Sequence, residues 1–212
     1  MHLLTAIGCP DKDLDVRPTM NVLPDAMQKV KDLLINFGIE KGQRLVLLHP
    51  GSGHSARDWS PKNFGILGKR ISEIPHVRLI ITGGASEESL VESVISMIGN
   101  SAISIVNKLS LGEYAALAKS SSLFIANSTG PIHIAAAVGT PVIGLYPQVT
   151  ALCAARWGPY TDNKLIFTPQ GQPTNCKKCI RKKTTVCECM DSILVDDVFT
   201  AVEKFLVKNS FK

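Results

Sequence analysis

Apolar residues follow one another along this chain in two alternating rhythms. Short continuous runs at 45–49, 77–82, 103–106, 123–126 and 142–145 are each bounded by small or turn-forming residues, and a weaker run covers 165–167. Runs of that length, without polar alternation, read as strands buried on both faces. Between them the apolar positions recur with helical spacing. Ala26, Val30, Leu33, Leu34 and Phe37 share one face of a helix predicted over 25–37, with Gly38 as its C-cap. Ser60-Pro61 reads as an N-cap followed by proline at the first helical position, opening a helix to about Ile71. Ser86-Glu87-Glu88 opens another, with acids in its first turn. Ser110-Leu111-Gly112-Glu113 has capping-box spacing ahead of Tyr114-Ala115-Ala116-Leu117. A helix is expected over 130–138 and a closing helix over 195–208, with Val198, Val202 and Leu206 in register. Buried strands alternating with helices predict an α/β fold: a Rossmann-like parallel sheet, helices on both faces, crossovers right-handed. Residues 1–24, irregular and carrying Pro10, Pro18 and Pro24, read as a tail or linker, and 25–212 as one domain.

Composition narrows the class. The chain has 212 residues, 45% hydrophobic and 19% charged, which suits one globular domain or at most two small ones. Collagen-like, coiled-coil and disordered classes are excluded. Aromatics make up 6%, so the core is expected to be mainly aliphatic. No uninterrupted apolar stretch approaches the ~18–20 residues of a membrane-spanning helix. Residues 1–9 lack the charged region and apolar length of a signal peptide, so the expected location is cytoplasmic.

The formal net charge is +5, from 23 basic and 18 acidic residues. Five of the basic ones, Lys177, Lys178, Arg181, Lys182 and Lys183, fall in one acid-free segment, and without them the charges balance. Such a loop is solvated, lies on an anionic membrane, or binds nucleic acid. With no aromatic between Thr174 and Met190, base stacking has no platform, and nucleic acid is not expected as a partner. Cys176, Cys179, Cys187 and Cys189 lie in and beside the same stretch. Four thiolates suit a structural zinc, although one residue between the second pair is unusual spacing; reduced thiols without metal are the other reading.

Ligands of parallel sheets bind at the carboxyl ends of strands. That rule brings the loops at 50–57, 83–88, 127–133 and 146–148 to one edge. Asn127-Ser128-Thr129-Gly130-Pro131-Ile132-His133 follows a strand and opens a helix. The amides of Thr129, Gly130 and Ile132, the hydroxyls of Ser128 and Thr129, and His133 make it a candidate phosphate site; plain helix capping is the alternative. In the 50–57 loop, Ser52 and Gly53 permit close backbone approach, and Arg57 offers a phosphate clamp. Neither a Walker A ending nor a Gly-x-Gly-x-x-Gly fingerprint is present, which disfavours P-loop NTPases and dinucleotide oxidoreductases. Glu87 and Glu88, after Gly83-Gly84, are candidates for holding a ribose diol or sugar hydroxyls; acids in the first turn of a helix are also favoured without any ligand. Trp59 reads as packing.

Together Pro50-Gly51-Ser52, Arg57-Asp58-Trp59-Ser60-Pro61, Ile81-Thr82-Gly83-Gly84 and the segment from Asn127 through Ala137 with Gly139-Thr140-Pro141 resemble glycosyltransferase family 9, the bacterial lipopolysaccharide heptosyltransferases and their relatives. The resemblance covers about residues 25–208. It implies one half of a glycosyltransferase B fold, in which two Rossmann-like domains face each other across a cleft. Members transfer a sugar, often heptose from ADP-heptose, to a lipid-linked glycan acceptor with inversion. This chain looks like the carboxyl-terminal domain, which holds the nucleotide-sugar donor. The catalytic base is then expected in an amino-terminal domain that this chain lacks, with residues 1–24 as its tail or the linker. Carried over by position, Ser52 and its neighbours, Gly53 among them, resemble the phosphate loop. Arg57 stands where a donor-phosphate Lys or Arg is usual, and Glu87, or Ser86 with a one-residue slip, matches the ribose-contacting acid. Thr129, Gly130 and His133 match the diphosphate site. Many heptosyltransferases have Asp where this chain has Ser128, which leaves the donor sugar open. No cofactor is implied. A place on the inner membrane through the polybasic loop follows as an expectation. A non-catalytic nucleotide-binding module and a zinc-stabilised nucleic-acid binder are the competing readings.

Overall fold

The computed structural model describes residues 17–170 and 187–208. Six strands form one all-parallel sheet: β1 (Arg44–His49), β2 (Val77–Gly83), β3 (Ala102–Val106), β4 (Leu123–Asn127), β5 (Val142–Leu145) and β6 (Lys164–Phe167). Their spatial order is β3-β2-β1-β4-β5-β6, so the order reverses between β1 and β4. Val46 of β1 is in register with Leu79 on one side and Leu123 on the other. The helices are α1 (Pro24–Asn36), α2 (Pro61–Ser72), α3 (Glu88–Ile98), α4 (Leu111–Lys119), α5 (Gly130–Ala137), the short α6 (Ala154–Trp157) and α7 (Val195–Lys208).

Alternate residues of each central strand point to opposite faces, so one strand feeds two cores. Val46, Leu48, Ile81 and Ile125 pack with α2, α3 and α7 on one face; Leu45, Leu47, Ile80 and Phe124 pack with α1, α4 and α5 on the other. This is why the strand sequences are apolar throughout rather than alternating. Close approach of α2 to α3 depends on two glycines. A Cβ at Gly65 would lie 2.8 Å from the Cβ of Met97, and one at Gly68 would lie 2.4 Å from Cδ1 of Ile98. Across the same face α7 is tied to α2 by an ion pair between Arg70 and Asp196, and the Arg70 guanidinium sits 4.0 Å from the Phe199 ring centre. Trp59 belongs to this core as expected: it is buried, edge-on to Phe64 with ring centres 5.1 Å apart, and its indole N–H donates to the Ile193 carbonyl (3.0 Å).

The predicted elements are present, with small shifts. The helix expected from Ser86 begins instead with a 3₁₀ turn, Ala85–Glu87, and becomes α-helical at Glu88. α6 and a 3₁₀ turn at Glu188–Ser192 come without a periodic signal in the sequence. Residues 17–23, read as tail, lie against the domain. The Met20 amide donates to Ala137 O (3.0 Å), Arg17 pairs with Asp162 (2.5 Å), and Val22 packs on the second core. Cys176, Cys179 and the five basic residues of the polybasic segment lie outside the described residues. Among the described residues no three metal-ligating side chains gather. Cys187 is buried in the first core beside Met190. Among them, too, no helix is long and apolar enough to cross a membrane.

Candidate functional site

The carboxyl ends of β1, β2, β4 and β5 meet at the point where the strand order reverses, the position where open α/β sheets bind ligands. Asn127, the last residue of β4, is wholly buried and bridges the reversal. Its Nδ2 donates to Pro50 O (2.6 Å), and its Oδ1 accepts from the Trp59 amide (2.9 Å). The β1 loop is thus stitched to the loop that starts α5. A second contact runs from the Ser55 hydroxyl to Ser128 O (3.5 Å).

At the start of α5, Thr129 holds the N-cap position in an extended conformation, and its side chain makes no capping hydrogen bond. No acid lies in the first turn, and proline occupies one of the first two positions. First-turn amides have no partner inside their own helix, and the helix dipole makes this end positive. The capping alternative therefore fails for Thr129: its hydroxyl is not spent on its own helix. Ser128 and Thr129 are each 8% exposed. Ser128 is hydrogen-bonded to Tyr146, whose hydroxyl donates to Trp157 O (3.0 Å) and whose burial pushes its pKa up to about 12. Partial burial lowers the pKa of His133, which favours the neutral imidazole at pH 7.

Two clefts flank this helix start and share Gly130 as a wall. One, of about 430 Å³, is lined by Ser55, Ser128, Thr129, His133, Arg156 and Trp157, among others. The other, of about 530 Å³, is bordered by His49, Gly84, Ile105, Leu109, Tyr114 and Pro131, among others. The second sets Lys108 and Asn107 beside its apolar residues; the first collects hydroxyls, an imidazole and a guanidinium beside Leu152 and Trp157. A larger cleft of about 750 Å³ lies off the opposite ends of the strands, against α1 and Leu45, away from these groups.

Across the second cleft runs a buried polar chain. His49 is 4% exposed, with Nδ1 2.9 Å from Thr82 Oγ1 and Nε2 3.4 Å from Glu87 Oε2. Tyr114 OH lies 3.1 Å from the same Thr82 oxygen. Glu87 Oε1 accepts from the Gly53 amide (2.9 Å) and Oε2 from the Gly84 amide (2.8 Å). The hydrogen bond from His49, with the two amides, holds the Glu87 carboxyl well down, to about 2, against the opposing effect of burial.

The structure brings Ser52, Gly53, Glu87, Ser128, Thr129, Gly130 and His133 to one edge. Ser52 is 5% exposed, and its hydroxyl oxygen finds no hydrogen-bond partner among the described residues. Gly53 does not present its amide to the cleft, because Glu87 takes it. Arg57 is half-buried and is not among the residues lining either cleft. Sequence reasoning passed over His49, Tyr114, Arg156 and Trp157. His49 had a signal, as a polar residue ending a fully apolar strand; Arg156 and Trp157 sit in an irregular stretch and had none.

The family model for glycosyltransferase family 9 (heptosyltransferase) matches residues 3–189. The chain belongs to glycosyltransferase family 9. Relatives include lipopolysaccharide heptosyltransferase 3 of Escherichia coli K12, 26% identical over 216 residues, covering 99% of this chain and 59% of that protein. Among solved structures, a family 9 glycosyl transferase from Veillonella parvula superposes with TM-score 0.82 at 19% identity, covering 98% of this chain and 58% of that one. The E. coli ADP-heptose lipopolysaccharide heptosyltransferase II gives 0.73 at 13% identity, covering 91% and 54%. The chain therefore spans between half and two thirds of these proteins. The six-stranded sheet is one Rossmann-like half of the glycosyltransferase B architecture of family 9.

Proposed function

We propose that this chain is the donor-binding part of an inverting family 9 glycosyltransferase, with ADP-heptose as donor and a lipid-linked glycan of the lipopolysaccharide core class as acceptor. The observation that carries the reading is the uncapped start of α5, with two clefts diverging from Gly130 and the buried Ser52 hydroxyl nearby. A diphosphate joins two dissimilar groups. A helix start between two differently lined clefts matches that shape: diphosphate at Thr129 and Gly130, base toward Leu109 and Tyr114, sugar toward Ser128, His133 and Arg156. The names of the E. coli relatives support heptose as the sugar and ADP as its carrier.

In this mechanism a base from outside the chain takes the proton of an acceptor hydroxyl. The oxygen bonds to the anomeric carbon from the face opposite the diphosphate, and the bond from that carbon to the diphosphate oxygen breaks. Negative charge grows on the departing diphosphate. The α5 amides and dipole stabilise it, with Arg156 and His133 of the same cleft completing the positive potential. Those groups make a cofactor unnecessary. A structural zinc on Cys176, Cys179, Cys187 and Cys189 is a separate proposal, decided by metal analysis of the purified chain.

Calorimetric titration with ADP, UDP, GDP and ADP-heptose tests the reading, with Thr129→Trp filling the helix start as the blocked control. Selective binding of ADP and ADP-heptose, lost in the control, is expected. Binding to none of the four, or binding that survives in Thr129→Trp, overturns it.

A further inference from the structure

Glu87 is the acid that the family resemblance offers to a ribose, yet its surroundings describe a different job. Both carboxylate oxygens are engaged by the protein: Oε1 by the Gly53 amide, Oε2 by the Gly84 amide and by His49. The side chain is 11% exposed. Its end also rests on the backbone of the β1 loop, because a Cβ built on Gly51 would fall 1.9 Å from Oε1. Any side chain at 51 and this carboxylate are mutually exclusive. Glycine is therefore needed at that position for close approach, not for an unusual φ. Behind Glu87 the polar groups form a continuous chain. An ionised carboxylate only accepts, so His49 presents an Nε2 proton to it, and its Nδ1 lies 2.9 Å from Thr82 Oγ1. Thr82 Oγ1 is also 3.1 Å from Tyr114 OH and donates to Leu48 O (3.4 Å). Burial and the nearby Glu87 charge raise the Tyr114 pKa and keep it a donor.

We propose that Glu87 is a positioning residue: seated on Gly51 and backed by His49, Thr82 and Tyr114, it locks the β1 loop to the β2 loop and so holds Gly51, Ser52 and Gly53 in place beside the start of α5. It acts on the donor diphosphate through that loop and does not act as a ribose ligand. The inference rests on the donor-binding reading for its consequence, but the interlock itself does not. The low Glu87 pKa, about 2, keeps the lock charged throughout the physiological range.

The test uses the full chain with Glu87→Ala, Glu87→Gln, Gly51→Ala and the Gly51→Ala/Glu87→Ala double variant. Without nucleotide, amide exchange and chemical shifts at Gly53 and Gly84 are read by NMR. In Glu87→Ala, exchange at both amides is expected to rise about tenfold or more, the loss of one charge-assisted bond at each. Glu87→Gln keeps the side-chain volume and one acceptor oxygen, and should retain part of the protection. The carboxyl carbon of Glu87 should titrate near pH 2. With ADP as probe, affinity should fall about tenfold in Glu87→Ala and partly recover in Glu87→Gln. Gly51→Ala should weaken ADP alone, yet add little in the Glu87→Ala background, since the group it collides with is gone. Unchanged amides in Glu87→Ala overturn the interlock. Weaker ADP binding with unchanged amides assigns Glu87 to direct ligand contact and overturns the positioning role. Altered amides with full ADP affinity overturn it too. If the wild-type chain binds no ADP while the amides respond as described, the interlock stands and the donor-binding reading falls.

Discussion

At the start of α4, Ser110 and Glu113 satisfy each other. The Ser110 hydroxyl accepts from the Glu113 amide (3.3 Å), and Glu113 Oε2 accepts from the Ser110 amide (2.8 Å). At the start of α5, one strand further along, Thr129 caps nothing, and no acid occupies the first turn. Both helices follow hydroxyl residues, and both pack on the same face of the sheet. The difference is who supplies the negative end. α4 brings its own carboxylate and is closed to anions, while α5 leaves amides and dipole to be met from outside. The first arrangement adds stability to the fold. The second forgoes that stability and, in the proposed reading, gains a place for a diphosphate.

The most drastic way to erase the difference is Thr129→Asp, which gives α5 a cap of its own. ADP affinity should fall by about a hundredfold through like-charge repulsion, while thermal stability stays equal or rises. Retained affinity in a calorimetric titration would remove α5 from the site. The mirror experiment, Ser110→Ala, opens α4. It should cost about 1 kcal/mol of stability in denaturant unfolding and leave ADP affinity unchanged. A loss of affinity there would show that α4 also takes part. The smallest effect concerns charge at α5. His133 is favoured as neutral at pH 7 because burial lowers its pKa. A bound diphosphate stabilises the imidazolium, so binding takes up a proton and tightens as the pH falls. Between pH 8 and 6 the affinity for ADP-heptose, whose diphosphate does not itself titrate there, should rise a few-fold. His133→Gln should flatten that slope; an unaltered slope assigns the proton elsewhere.

Both capping arrangements were half legible in the sequence. Ser110 and Glu113 stand three residues apart, so their reciprocity is a local property that spacing alone can reveal. Ser60 and Pro61 were legible for the same reason, and the Ser60 side chain accepts from the Asn63 amide as expected. Strands with both faces covered announce themselves as apolar runs, and β5 falls on the residues expected. Thr129 was ambiguous, because hydroxyls before a helix serve capping and ligand binding alike, and only the side-chain geometry separates the two. The pairing of Glu87 with Gly51 and His49 lay further out of reach. Those residues are distant in sequence and meet only because β1 and β2 are neighbours with a particular register. Nothing local marks an acid three residues past a Gly-Gly turn as one that turns back onto the preceding strand's loop. Trp157 and Arg156 reach the cleft on a four-residue helix too short to leave a period.

The placement of the two tryptophans has an optical consequence. Trp59 is 1% exposed and its indole is bonded to Ile193 near the base of α7, whereas Trp157 is 49% exposed and borders the cleft beside Thr129. A collisional quencher such as acrylamide should reach one emitter and not the other. The shielded fluorescence then reports whether the closing helix is docked, and the accessible fluorescence reports what has entered the cleft. The protein carries its own pair of reporters, one for integrity and one for occupancy, readable in a single cuvette without a label.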